Sequence, residues 1–280
     1  MIPFTVSYIR PETIEEATQA FEEVSQAGGN ARYFAGGTEI LTKARDHALT
    51  ADALIDLKRI PETRSTEEDG EHYWFGASLR LNEVIEANRC ALLNRAAAGV
   101  ADHTVRNSVT LGGNIAGMLP YREAILPFLL FDGVAEVAGG GTRRTVALRE
   151  VFDKRLRLNK GEFLVRLGMP KSLAKRAPTF YRRHTRDSRV DYPLATVCMA
   201  KTDDRLRFAA SGAYSYPICT REAEEAMNKA GAGASAIADA AVAALPKRCL
   251  QDMRGSSEYR RALLHRAIRD GAADLNREGV

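Results

Sequence analysis

The sequence predicts an α+β chain built in three consecutive segments. Three observations predict it. Strand and helix patterns alternate at the start, two apolar strands meet at a glycine-rich tip in the middle, and the last part runs antiparallel strands before alanine-rich helices. The expected segments are 1–57, 58–170 and 171–280.

In the first segment, Thr13-Ile14-Glu15-Glu16 is a Thr-x-x-Glu capping box. Ala17, Ala20, Phe21 and Val24 then recur at helical spacing until Gly28-Gly29 ends the run. "ARYFAG" reads as a strand entering a Gly-Gly turn, followed by a short helical piece from Glu39 to Arg45 and an apolar strand around "ADALIDL". The turn thus lies at the C-terminal end of a strand, where open α/β sheets commonly place ligands. In the second segment, "HYWFGAS" is a strand ending in Gly76 and "LNEVIEAN" a short helix. "CALLNRAAAGVAD" is a helix that offers Leu92, Leu93, Ala96 and Ala97 for burial. After a second Gly-Gly turn, "AILPFLLF" is a buried apolar run, and Gly139-Gly140-Gly141-Thr142 is a hairpin tip between strands. The lone Trp74 sits on an alternating strand and belongs to the core. Past Pro170, "TFYRRHTR", "YPLATVCMAK" and "RLRFAASGAY" are strands. "REAEEAMNKAGAGASAIADAAVAAL" is helical with a glycine break. "GSSEYRRALLHRAIRDGAADL" closes as an amphipathic helix capped by Ser256 or Ser257, with Leu263, Leu264 and Ile268 inward.

The totals exclude several classes. A chain of 280 residues with 45% hydrophobic content can bury a sizeable core. No apolar run approaches the roughly 20 residues of a membrane span, and "MIPFTVSYIRPE" lacks the layout of a secretory signal, so a cytoplasmic protein without membrane insertion is expected. The formal net charge of +4 is spread among intermixed acids and bases, which speaks against a nucleic-acid partner. The one basic stretch, "YRRHTRDSR" (Tyr181 to Arg189), is either a solvated loop or a site for an anion or an acidic partner. Cys90, Cys198, Cys219 and Cys249 lie far apart with no Cys-x-x-Cys pair, and they read as reduced thiols with no arrangement for a zinc or an iron–sulfur cluster. The five histidines share no spacing and are assigned neither to metal nor to catalysis.

Chemistry gathers at the two Gly-Gly turns, "YFAGGTEILTKAR" (Tyr33 to Arg45) and "VTLGGNIAG" (Val109 to Gly117). Glycine lets main chain approach a ligand closely, and consecutive N–H groups in such a turn make an anion site. Thr38, Thr110 and Asn114 add hydroxyl or amide groups of the kind a pyrophosphate accepts. Two matching turns point to a dinucleotide, while the Gly-x-Gly-x-x-Gly fingerprint and the phosphate-loop motif are both missing. Each residue also has a local reading: a turn-stabilising hydroxyl for Thr38 and Thr110, a helix-dipole acid for Glu39, a backbone cap for Asn114.

"FAGGTEIL" and "TLGGNIAG" resemble the two FAD pyrophosphate loops in the flavoprotein subunits of molybdenum hydroxylases, the group of xanthine dehydrogenases and aerobic carbon monoxide dehydrogenases. "RPETIEEATQ", "ADHTVRNSVTLGGN" and "GSSEYRRALL" extend the resemblance over essentially the whole chain. It implies a two-subdomain FAD-binding domain of the vanillyl-alcohol oxidase and p-cresol methylhydroxylase type over 1–57 and 58–170, then a flavoprotein C-terminal module over 171–280. It implies that Ala35, Gly36, Gly37, Thr38, Glu39 and Ile40 wrap one side of the FAD diphosphate, and that Thr110, Gly112, Gly113 and Asn114 supply the other. An acid that follows "GGNI" in xanthine dehydrogenases falls by register on Glu123 in "LPYREAILP", one methylene longer than their Asp. Arg182 falls near a basic position that faces the flavin in relatives.

The resemblance also implies a role. Substrate hydroxylation would occur on a molybdenum cofactor in a large partner subunit. Electrons would come through [2Fe–2S] clusters of a small one to FAD here, and leave to NAD⁺ or another acceptor. The chain has neither the length for the molybdenum module nor the cysteines for the clusters, and it would contribute no catalytic residue of its own. Two other readings stay open: a self-contained FAD-dependent oxidoreductase, and a non-catalytic accessory protein of the same fold. The substrate is left open among xanthine, carbon monoxide, N-heterocycles and aldehydes.

Overall fold

The Thr13 hydroxyl accepts from the Glu16 N–H at 3.1 Å and so starts helix α1 (Ile14–Gln26) where the capping-box spacing predicts. In this computed structural model, residues 2–188, 190–231 and 233–277 are described; Arg189, the last of the basic stretch, lies outside them. α1 follows strand β1 (Ser7–Ile9) and leads to β2 (Ala31–Phe34), helix α2 (Thr38–Arg45) and β3 (Ala53–Asp56). The three strands form a parallel sheet in the order β1-β3-β2, with Ile9 and Tyr33 both opposite Ile55.

A second sheet has the order β4-β5-β10-β6-β7. Its strands are β4 (Thr66–Glu68), β5 (His72–Gly76), β6 (Val134–Gly139), β7 (Thr142–Ala147) and β10 (Phe163–Pro170), with the short pair β8 (Phe152–Asp153) and β9 (Arg155–Leu156) outside it. Gly140 and Gly141, at φ of 57° and 71°, make the two-residue tip of the β6–β7 hairpin. Trp74 is 7% exposed as expected of a core residue, and its indole N–H donates to Asp69 at 2.7 Å. Ile14, Ala17 and Ala20 of α1 share one apolar cluster with Ile55 of β3, Ala138 of β6, and Phe163 and Val165 of β10. The period of α1 therefore buries its inner face between the two sheets.

By internal contacts the chain divides into two compact units. The first comprises Met1–Ala87, His103–Gly117 and Gly133–Met169, and holds both sheets just described. The second comprises Asn88–Asp102, Met118–Asp132 and Pro170–Val280. Its sheet is an antiparallel meander of β11 (Thr179–Thr185), β12 (Pro193–Thr202) and β13 (Arg205–Ser211). Its core unites that sheet with the helices Arg221–Lys229, Ala234–Ala244 and Ser257–Arg277. Leu263, Leu264 and Ile268 point inward as the helical spacing predicts, and Ser256 Oγ accepts from the Tyr259 N–H at 3.1 Å. The apolar run "AILPFLLF" becomes a 3₁₀ turn and a short helix, Leu126–Leu130, buried in the second unit. All four cysteines are free thiols. No helix among the described residues is long and apolar enough to cross a membrane.

Candidate functional site

Strand β2 delivers the chain to Ala35-Gly36-Gly37 at the C-terminal end of the parallel sheet. Gly37 is the N-cap of α2 with φ at 71°, a conformation that costs an L-residue about 1–2 kcal/mol. A Cβ there would also run into the Phe34 ring. Among the described residues, the N–H groups of Gly36, Gly37 and Thr38 meet no protein acceptor, as the open start of a helix leaves them. Thr38 is exposed, while Ala35, Glu39 and Ile40 are half-buried. The Glu39 carboxylate pairs with Lys43 at 2.5 Å, one turn along α2.

The second turn is tied down by neighbouring main chain. Thr110 bridges Arg80, the Leu111 N–H donates to Leu79 O at 2.8 Å, and the Gly112 N–H to Ala77 O at 2.7 Å. The Thr110 hydroxyl, 1% exposed, accepts from the Gly113 N–H at 3.2 Å and caps the helix Leu111–Ala116. The two glycines differ in purpose. A Cβ on Gly112 would lie 2.7 Å from the Ala77 Cβ, so this glycine allows close packing. Gly113 is exposed, and a Cβ there would meet only the Thr110 side chain before open space. Asn114 Oδ1 is buried without a hydrogen-bond partner.

The two turns touch each other. A Cβ on Gly36 would collide with the Ser108 carbonyl oxygen and sit 3.1 Å from the Thr110 nitrogen. One on Gly117 would lie 2.8 Å from Glu39 Oε2. All ten residues expected from Ala35 to Ile40 and from Thr110 to Asn114 thus belong to one unit and one cradle. Its wall carries free main-chain donors, one open glycine and one unanswered amide oxygen.

Glu123 and Arg182 belong to the second unit. Glu123 is 1% exposed, accepting from Arg183 Nε at 3.0 Å and from the Thr196 hydroxyl at 3.3 Å. Burial pushes its carboxyl up from the ordinary value, against the pull of the Arg183 charge. Arg182, next along β11, is exposed and lies over the Phe180 ring at 5.5 Å. Alternation along the strand aims the two arginines to opposite faces, and Arg183 is the one that meets the acid.

Residues 4–172 match the family described as the FAD binding domain in molybdopterin dehydrogenase. The chain belongs to that family. An oxidoreductase with FAD as its cofactor follows from the membership. Over 150 residues, 52% of this chain and 51% of the other, it is 33% identical to the carbon monoxide dehydrogenase medium chain of Hydrogenophaga pseudoflava. To the glyceraldehyde dehydrogenase medium chain of Sulfolobus acidocaldarius it is 24% identical over 276 residues, 94% of this chain and 96% of that one. The fold superposes with a TM-score of 0.85 on a chain of the carbon monoxide dehydrogenase from Hydrogenophaga pseudoflava that lacks the Mo-pyranopterin moiety, with 25% identity and 98% of both chains covered.

The cradle fits the family's cofactor. A diphosphate wants several N–H donors on main chain that no Cβ shields, and the first turn presents them at a helix start. The buried Asn114 Oδ1 lacks a donor, and a hydroxyl of a nucleotide ribose is a group of that kind.

Sequence reading passed over Lys58, Asp56 and Tyr8. Lys58 Nζ donates to Ala35 O at 2.9 Å and to Asp56 Oδ1 at 2.7 Å, and lies 4.7 Å from the centre of the Phe34 ring. Asp56 is 2% exposed and also accepts from the Tyr8 hydroxyl. Burial alone would raise its carboxyl, but the Lys58 and Tyr8 donors outweigh that and hold it below the ordinary value. The signal that could have found this group is positional: Lys58 follows β3, the middle strand, just where β2 enters the first turn.

Proposed function

We propose that this chain is the FAD-binding electron-transfer subunit of a heteromeric molybdenum hydroxylase. Electrons reach it from [2Fe–2S] clusters on a small partner subunit and leave to NAD⁺ or another acceptor. Hydroxylation takes place on the molybdenum cofactor of a large partner subunit. The observation that carries the reading is the direct contact of two glycine turns, one of them presenting the unused N–H groups of Gly36, Gly37 and Thr38. FAD supplies, when bound, the junction between one-electron and two-electron chemistry.

The work of this chain's own residues is binding and access. Gly36, Gly37 and Thr38 hold the diphosphate by main chain, with Thr110, Gly113 and Asn114 on the opposite wall; Gly112 sets the distance between that wall and Ala77. Ala35, Glu39 and Ile40 complete the first loop. The "medium chain" names of the relatives support a complex with two other subunits.

The test is purification of the full chain, alone and from its native host. Alone, it is expected to be yellow with a flavin spectrum and to show no turnover. From the host, it is expected to co-purify with a molybdenum-containing and an iron–sulfur subunit. Rapid bleaching of the bound flavin by NADH identifies a nicotinamide acceptor. Substrate turnover by the isolated chain would make it a self-contained flavoenzyme instead, and a colourless chain that takes up no FAD would refute the reading.

A further inference from the structure

We propose that Lys58 is a positioning residue for the cofactor, holding the first glycine turn in the orientation that turns its N–H groups toward the diphosphate. The inference rests on the FAD reading above and adds a residue to it. Its ground is the pair of hydrogen bonds from one ammonium group. Nζ reaches the Ala35 carbonyl at 2.9 Å and the Asp56 carboxylate at 2.7 Å. Ala35 is the last residue before the two glycines, and its carbonyl shares a peptide unit with the Gly36 N–H. A peptide plane is rigid, so fixing the carbonyl on one side fixes the donor on the other. The Gly37 N–H follows through Gly36, and the Thr38 N–H through the Gly37 φ of 71° that only glycine adopts without strain.

The anchor is itself anchored. Asp56 is 2% exposed and is gripped by the Tyr8 hydroxyl as well as by Lys58. The Lys58 side chain is one-third exposed, and its ammonium lies over the Phe34 ring, the same ring that packs beneath Gly37. A chain of contacts therefore runs from Tyr8 on β1 through Asp56 on β3 and Lys58 to Ala35 after β2, crossing every strand of the parallel sheet at one end. Gly36 and Gly37 are flexible residues with no side chain to pin them, and nothing else among the described residues bonds the Ala35 carbonyl. Because Asp56 neutralises Lys58, the effect is orientation of the turn and not a bare positive charge beside it.

The experiment compares the full-length wild-type chain with Lys58→Met, Lys58→Arg and the double variant Asp56→Asn/Lys58→Met. FAD affinity is read from flavin fluorescence quenching, ADP affinity by competition, and stability from urea unfolding. Lys58→Met is expected to weaken FAD and ADP alike, by about tenfold, the loss of one hydrogen bond from a charged donor. Lys58→Arg is expected to restore most of it. Lys58→Met also strands a buried carboxylate, so its stability falls. The double variant removes that carboxylate's charge and regains stability, yet its FAD and ADP affinities stay low because the Ala35 carbonyl is still unheld. Recovery of FAD affinity in step with stability in the double variant would overturn the proposal, as would FAD binding within twofold of wild type in every variant. A wild-type chain that takes up no FAD at all refutes the underlying reading together with this one, and so is told apart from a failure of Lys58 alone.

Discussion

At the residue scale, Gly36, Gly37, Gly112 and Gly113 look alike in the sequence and do four different things. Gly36 lets the first turn touch Ser108 and Thr110; Gly37 supplies a positive φ above the Phe34 ring; Gly112 packs on Ala77; Gly113 faces open space. The difference yields a prediction. Gly37→Val is expected to raise the FAD dissociation constant more than tenfold and to cost about 2 kcal/mol of folding stability, since φ and packing both forbid the side chain. Gly113→Val is expected to raise the dissociation constant comparably while costing only about 1 kcal/mol, through the displaced Thr110 cap. Flavin fluorescence titration beside urea unfolding checks both; flavin affinity unchanged in Gly113→Val would remove that glycine from the site. The choice of arginine shows the same limit of sequence reading. Arg182 and Arg183 are adjacent and chemically identical, and only the strand's facing decides that Arg183 meets Glu123.

At the scale of elements, the helices that carry the site are too short to stand alone. α2 has eight residues and the helix Leu111–Ala116 has six, below the length at which isolated helices persist in water. They persist through packing within the unit, and the helix Leu111–Ala116 is also fastened at its first turn. Thr110 does this for the second loop, by its bridge to Arg80 and its bond from the Gly113 N–H. Thr110→Ala is expected to lose about 1 kcal/mol of stability and to loosen FAD several-fold, with amide exchange rising at Gly113 and Asn114 first. Exchange that rises uniformly across the chain would argue against a local cap. The elements themselves were largely legible: the Thr13 cap, the β6–β7 hairpin tip, the strand into the first turn and the inward face of the last helix all follow from local rules. "AILPFLLF" was less so, because a short run that is apolar on every side has no period to separate helix from strand.

At the scale of the molecule, the chain gives Asn88–Asp102 and Met118–Asp132 to the second unit and returns each time to the first. Between those excursions lies His103–Gly117, which brings the second glycine turn to the first unit and so to the first turn. Arg260 shows how such assembly hides a residue's role. An arginine in "SEYRRALL" on the last helix, it is fully buried, donating to Leu194 O at 3.1 Å, Gly212 O at 2.9 Å and Asp252 at 2.7 Å. Arg260→Ala is expected to cost at least about 3 kcal/mol, because two buried carbonyls and a carboxylate lose their donor. Its neighbour Arg261, which bonds Pro246 O from a more exposed position, is expected to cost under about 1 kcal/mol when replaced by alanine. Equal losses measured by urea unfolding would show that the buried donor is not what holds this helix.

What the sequence determined by itself is whatever depends on neighbours along the chain: the caps, the helical and strand periods, and the two turns where only a residue without Cβ lets main chain come close. Those are steric and hydrogen-bond rules acting over a few positions, and from them the cofactor class could be argued. Which distant groups meet was settled by the folding of the whole chain. That the two turns touch, that Lys58 reaches the Ala35 carbonyl, that Arg183 faces Glu123 and that Arg260 is buried all depend on strand order and packing between segments far apart in the chain. Local patterns carry no record of those distances.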